Sequence, residues 1–163
     1  MQHETERAVI ELVAADGPVA MDVVRQLFRE YEASLQIDLC FQGFEAELAA
    51  LPDKYAPPEG ALILAWMDGQ AAGCVALRAI DADVCEMKRL YVRDAYRGLG
   101  LGRALVARII DEARQRGYRD MRLDTLSRME VALRLYASFG FVPTEPYVYN
   151  PVEDVRYLEL RLD

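Results

Sequence analysis

Residues 97–103 read Arg-Gly-Leu-Gly-Leu-Gly-Arg, and the position of that run limits the folds open to the chain. It follows a predicted strand, about Val84 to Val92, and precedes Leu101, Leu105, Ile109 and Ala113, whose spacing predicts one face of a helix. Alternating glycines let the backbone approach a ligand closely and turn several N–H groups towards one spot. The start of a helix adds its partial positive charge, so a glycine turn placed there can cradle a pyrophosphate. A tight strand-to-helix connection with no ligand satisfies the same residues.

Two nucleotide-binding readings compete for the run. A dinucleotide fingerprint needs GxGxxG, but counting from Gly98 or Gly100 puts Arg103 or Leu105 where the third glycine belongs. Asp120 and Asp124 lie about 20 residues on, where that fold has its ribose-binding acid. That fold also places the loop after its first strand, whereas here three meandering strands come first. A Walker loop is excluded, because no GK[ST] follows. The pattern that does fit is [R/Q]-x-x-G-x-[G/A], from Arg97 to Gly102.

The rest of the chain reads as one α/β unit with a mixed sheet. Residues 8–15 are strand-like and end at Asp16-Gly17-Pro18, a turn signal. A helix is expected from about Val19 to Leu35, with Val23, Leu27 and Tyr31 as its stripe, and a short one from Phe44 to Leu51. Pro52 to Gly60 is expected to be an ordered loop. Strands at Ala61–Met67 and Ala71–Ile80 flank Asp68-Gly69, a strong hairpin signal. Strict alternation in the next strand puts Met87, Arg89 and Tyr91 on one face and Lys88, Leu90 and Val92 on the other. After the helix at 101–113, which Gly117 ends, Met121–Leu126 alternates as a strand. Ser127 and Glu130 have the spacing of a capping box for a helix closed by Gly140. A last strand runs from about Val155 to Leu162. No repeat or linker divides the 163 residues, so one core is expected over 1–163.

Composition removes several function classes. Net charge is −8 and the pI near 4.8, a poor surface for phosphate backbones, so no nucleic-acid partner is expected. The segment from Lys88 to Arg122 is locally basic, as a docking place for an anionic ligand would be, but Arg108, Arg114 and Arg116 are expected to form a solvated helix face. No apolar run approaches the roughly 20 residues of a membrane span, and the polar N-terminus does not read as a secretory signal. Cys40, Cys74 and Cys85 are scattered without CxxC spacing, which suits reduced core thiols in a cytoplasmic protein. The single histidine, His3, leaves no partner for a Ser-His-Asp or Cys-His site or a histidine metal site. No metal is expected.

Cys85-Glu86-Met87-Lys88-Arg89-Leu90-Tyr91-Val92, followed by Tyr96-Arg97-Gly98-Leu99-Gly100-Leu101-Gly102-Arg103-Ala104-Leu105, resembles the acetyl-CoA-binding motif of the GNAT family of N-acetyltransferases. Ala132, Leu135-Tyr136 and Gly140-Phe141 resemble its second signature, in the right order and at the right separation. Close resemblance covers residues 85–141. It implies an acyl-CoA N-acyltransferase fold of six to seven strands with about four helices. It also implies acetyl-CoA as co-substrate and a primary amine of a small molecule or peptide as acceptor. The pantetheine arm would pair with the backbone of Leu90, Tyr91 and Val92, and the phosphates would sit on Arg97, Gly98, Leu99, Gly100, Leu101, Gly102 and Arg103. One departure from the pattern is Met129, where the family often has an asparagine that contacts the cofactor; Ser127 is the nearby substitute. The resemblance leaves a homodimer open.

Transfer to an amine needs a fixed thioester, a neutral amine, an oxyanion donor and a proton for the departing thiolate. The resemblance implies Tyr136 as the acid, and a phenol of pKa about 10 suits a leaving thiol; an aromatic packed inside the helix is the alternative. The resemblance implies a backbone N–H near Leu90 as the oxyanion donor, as the logic of preorganised dipoles also expects. Glu86 is the candidate base, through water, with its pKa raised if half-buried. An exposed strand glutamate paired with an arginine is the alternative, and Asp124 is the reserve base. Tyr31, Phe41, Tyr147, Tyr149 and Asn150 are candidates for the acceptor pocket or for packing. Two other functions stay open: a non-catalytic acyl-CoA-binding or regulatory domain, and a nicotinamide-dependent oxidoreductase.

Overall fold

The computed structural model describes residues 9–36, 39 and 43–163. His3, Cys40 and Phe41 lie outside the described residues. In chain order the elements are β1 (Ile10–Ala14), α1 (Gly17–Leu35), α2 (Phe44–Ala50), β2 (Ala61–Met67), β3 (Gln70–Ala79), β4 (Val84–Val92), α3 (Leu101–Gln115), β5 (Asp120–Leu126), α4 (Glu130–Ser138), β6 (Val142–Pro143) and β7 (Val155–Arg161). The loop from Pro52 to Gly60 holds one short 3₁₀ turn, Asp53–Tyr55. No helix among the described residues is long and apolar enough to cross a membrane.

All seven strands join one sheet in the order β1-β2-β3-β4-β5-β7-β6. Every neighbouring pair is antiparallel except β4 and β5. The sheet is therefore mixed, and a doubly wound dinucleotide fold is excluded. The β2–β3 hairpin turns through Asp68 and Gly69, both at positive φ, as a short primed turn requires.

β2 and the Ala71–Leu77 stretch of β3 are free of polar side chains and almost wholly buried, because helices cover both faces of the sheet. On one face Ile63, Val75, Leu77 and Met87 meet Leu105, Ile109 and Ala113 of α3, with Tyr136 and Phe141 beyond. On the other, Leu62, Leu64, Cys74 and Ala76 meet Val24, Leu27 and Phe28 of α1 and Phe44 and Leu48 of α2. The expected stripe of α3 is fully buried. In α1 the buried stripe is Met21, Val24, Leu27, Phe28 and Leu35, so Val23 and Tyr31 lie at its edge. Arg108, Arg114 and Arg116 are not a solvated face. They reach the carbonyls of Leu12, Leu162 and Gly60 and tie α3 to its surroundings.

β4 departs from strict alternation. Its register with β3 jumps from Cys74↔Tyr91 to Ala76↔Lys88, so Arg89 and Leu90 together face Val75. This is a β-bulge, and Arg89 sits in it at φ +59°. The bulge swaps the faces beyond it: Leu90 and Val92 join Met87 on the α3 side, while Tyr91 packs on the α1 side. Arg89 turns with Tyr91 towards the rings of Tyr31 and Phe44.

The expected capping box at α4 does not form. The helix begins at Glu130 after Met129, with no side-chain cap. The N–H of Ser127 is taken by the Asp154 carbonyl and that of Met129 by Leu126, which closes a turn first.

Candidate active site

The sheet opens between β4 and β5. Their parallel pairing covers Val84↔Asp120, Cys85↔Met121 and Glu86↔Arg122. Beyond it, β4 stays with β3 as far as Gly73↔Val92, while β5 stays with β7 as far as Leu126↔Val155. Two strands held by different partners diverge, and the edges that face the gap have no strand partner there.

A cleft of about 530 Å³ occupies this opening. Leu90, Tyr91 and Val92 form one wall, and Met129, Ala132 and Leu135 of the α4 region form the other. Arg97, Gly98, Gly100, Leu101 and Gly102 close one end. Gly98 and Gly100 stand at φ +78° and +82°, where side-chain-bearing residues are strained. Gly102 is helical, and a Cβ there would meet only the Leu135 side chain, at 3.5 Å. The start of α3 thus aims its first N–H groups into the cleft, a site for an anion.

Two of the expected phosphate contacts are elsewhere. Leu99 is half exposed and does not line the cleft. Arg103 donates to the Ser138 hydroxyl at 3.1 Å and stacks over Phe139. Arg97 donates through Nε to the Val92 carbonyl at 3.2 Å, fastening the turn to the end of β4. Ser127 does not line the cleft, whereas Met129 does.

Below the cleft, two small cavities of about 40 and 50 Å³ share Tyr31, Lys88, Arg89, Thr125 and Met129. The first also holds Leu90 and Tyr136. Tyr136 is buried and stands edge-on to Phe141, with ring centroids 5.7 Å apart. Burial, reinforced by Tyr31 and Asp124, pushes its phenol above the ordinary value. The second cavity holds Asp124 and Asn150, whose amide donates to the Asp124 carboxylate at 3.1 Å.

Glu86 is fully buried, not half-buried. One of its oxygens accepts from Arg78 Nε at 2.7 Å, and the other from the Tyr147 hydroxyl at 2.6 Å. Tyr147 is thereby part of the site's support, and burial beside Glu86 raises its phenol. Tyr149 is exposed. Cys74 and Cys85 are core thiols, pushed up by burial, Cys85 to about 12.

The bulge is anchored from another helix. Glu47 of α2 accepts from Arg89 Nε at 3.1 Å and Nη2 at 3.2 Å, from Lys54 at 2.9 Å and from the Tyr55 hydroxyl at 2.8 Å. Burial alone would raise the Glu47 carboxyl, but Arg89 and Lys54 hold it down to about 2. Neither Glu47 nor Lys88 stood out in the sequence as a site residue. The available signal was Lys88-Arg89, two charges in a row inside an apolar strand. A larger hollow of about 630 Å³ lies at the start of α1, beside Pro52 and Pro57, and contains none of the expected site residues.

The model of the acetyltransferase (GNAT) family matches residues 22–141. The chain belongs to the GNAT family. It is 44% identical to an N-acetyltransferase of Schizosaccharomyces pombe, over 94% of this chain and 95% of that protein. It superposes on an acetyltransferase of Streptococcus agalactiae with a TM-score of 0.76 and 22% identity, covering 94% of this chain and 98% of the other. A Salmonella typhimurium protein solved with its cofactor acetyl-CoA gives a TM-score of 0.72 at 23% identity, covering 94% of each chain. At such identities the likeness is one of fold. As a GNAT protein with relatives named N-acetyltransferases, the chain is an acyltransferase.

Proposed function

We propose that the chain moves an acetyl group from acetyl-CoA directly to a primary amine of a small molecule or peptide, with both substrates bound together. The observation that carries this reading is the wedge between β4 and β5, which has the glycine turn at one end and Tyr136 below it. The residues fit acetyl-CoA. N–H groups at the start of α3 suit a pyrophosphate, and the unpaired edge at Leu90–Val92 suits the amides of a pantetheine arm.

The amine enters from the α1 side. Its nitrogen lone pair attacks the thioester carbonyl carbon; the C–N bond forms, the C–S bond breaks, and an amide and a thiol result. Holding both partners is worth about 7–11 kcal/mol in the best cases. A backbone N–H of the bulge near Leu90 meets the negative charge that develops on the carbonyl oxygen. Tyr136 gives its proton to the departing sulfur. Burial raises a phenol and a thiol alike, so their match survives desolvation. The amine proton goes to a carboxylate. Asp124 lines the acceptor cavity, whereas Glu86 does not line it and is held by Arg78 and Tyr147.

Initial rates of thiol release, measured for Asp124→Asn and Glu86→Gln across pH, separate the two carboxylates. The true acceptor is the one whose loss removes the acidic limb of kcat/KM. If both variants keep that limb, the proton leaves to solvent.

A further inference from the structure

Extending the Glu86↔Arg122 register by two residues sets Lys88 opposite Asp124, on one face of the sheet and across the opening. Both line the acceptor cavity of about 50 Å³. Asn150 fixes the Asp124 carboxylate from the tail. Lys88 Nζ stands 3.9 Å from Glu86, with its side chain only one-tenth exposed. A positive and a negative group therefore face the same small space from opposite strands.

Building on the transfer reading, we infer that the acceptor is a compact amine bearing a carboxylate, an α-amino acid or close analogue, with its carboxylate on Lys88 and its amine on Asp124. The dimensions agree. A cavity of about 50 Å³ holds about four water-sized groups, close to the nitrogen, α-carbon and carboxylate of such a head group. Its side chain then projects through the mouth of the cavity. The electrostatics agree as well. Burial works against the Lys88 ammonium and, with Glu86 and Asp124 opposing it, draws it down to about 8, so an incoming carboxylate strengthens the cation that receives it. A polyamine would add positive charge beside Lys88 and Arg89. Asp124 accepts from the incoming ammonium and holds the nitrogen at the cavity shared with Lys88 and Tyr31, next to that of Leu90 and Tyr136. The bonds made and broken in the transfer are unchanged.

The test compares matched trios with the full-length protein and acetyl-CoA: an α-amino acid, its amide, and the decarboxylated amine. Spermidine and a lysine-containing peptide complete the panel. Thiol release and product mass are the readouts. The amino acids should exceed their amides and decarboxylated amines by about tenfold or more in kcat/KM, the scale of a lost charged hydrogen bond. Lys88→Met should erase that margin by raising KM for the acids by about tenfold more than for the amides, with an unchanged melting transition reporting a folded protein. Equal rates across the trios, an unchanged margin in Lys88→Met, or a preference for spermidine or the peptide would overturn the carboxylate assignment and leave acetyl transfer standing. Thiol release with no amine at all would overturn transfer itself and the assignment with it.

Discussion

Arg89 holds a left-handed backbone, φ +59°, which costs a side-chain-bearing residue about 1–2 kcal/mol. Its buried ion pair with Glu47 offsets that cost, and so a residue of α2 fixes the bulge that faces the cleft. Removing one partner of such a pair typically costs about 3–5 kcal/mol, so Glu47→Gln should lower the unfolding free energy markedly in a denaturant titration. The pH dependence has a definite sign. The Glu47 carboxyl moves from an ordinary 4.5 to about 2 on folding, so the unfolded chain binds the proton first. Its stabilisation is fully present above pH 4.5 and fades as pH falls towards 2. A melting-temperature profile should show this loss in the wild type, and a shallower one in Glu47→Gln. At Tyr136, replacement by Phe keeps the ring against Phe141 and removes only the hydroxyl. The expected result is a fall in kcat of about 10²–10⁴-fold with acetyl-CoA affinity little changed. Wild-type turnover would return Tyr136 to the role of a core aromatic.

Among the elements, the glycine turn offers the cleanest separation of structure from binding. Gly102 is helical, and a methyl there meets only Leu135 in ordinary contact. Gly102→Ala should therefore raise helix stability by about 0.5–1 kcal/mol while weakening acetyl-CoA binding in calorimetry, because the methyl stands between ligand and backbone. Gly102→Asp should abolish binding in a folded protein, since it adds a carboxylate at the proposed phosphate site. Unchanged affinity in both would make the turn a mere connection. This element was legible in the sequence because its signals are local: glycines, a strand before and a helix stripe after. So were the Asp68-Gly69 hairpin and the α3 core face. The bulge was not, because it depends on Glu47, 42 residues from Arg89, and strict alternation carried Arg89 and Tyr91 to the wrong face. The capping box failed for a similar reason. Ser127 has the right spacing to Glu130, but the Asp154 carbonyl claims its N–H from the far end of the chain. Glu86 was read from its place on β4, yet its burial under Arg78 and Tyr147 depends on contacts with β3 and the tail.

At the scale of the molecule, the one parallel pair in the sheet, β4 with β5, opens the cleft. Had β4 and β5 stayed paired to their ends, Leu90–Val92 would have no free edge and Asp124 no gap to face. The glycine turn closes one end of the cleft, and Lys88, Asp124 and Asn150 line a small cavity below it. The most direct test of this arrangement is an initial-rate measurement of thiol release from acetyl-CoA with an amine panel, run on the wild type and Gly102→Asp, with calorimetry of acetyl-CoA and NAD alongside. The account predicts amine-dependent thiol release and acetyl-CoA binding in the wild type, both lost in a folded Gly102→Asp, and no NAD binding. Tight acetyl-CoA binding with no release for any amine would contradict it and identify an acyl-CoA-binding domain without turnover.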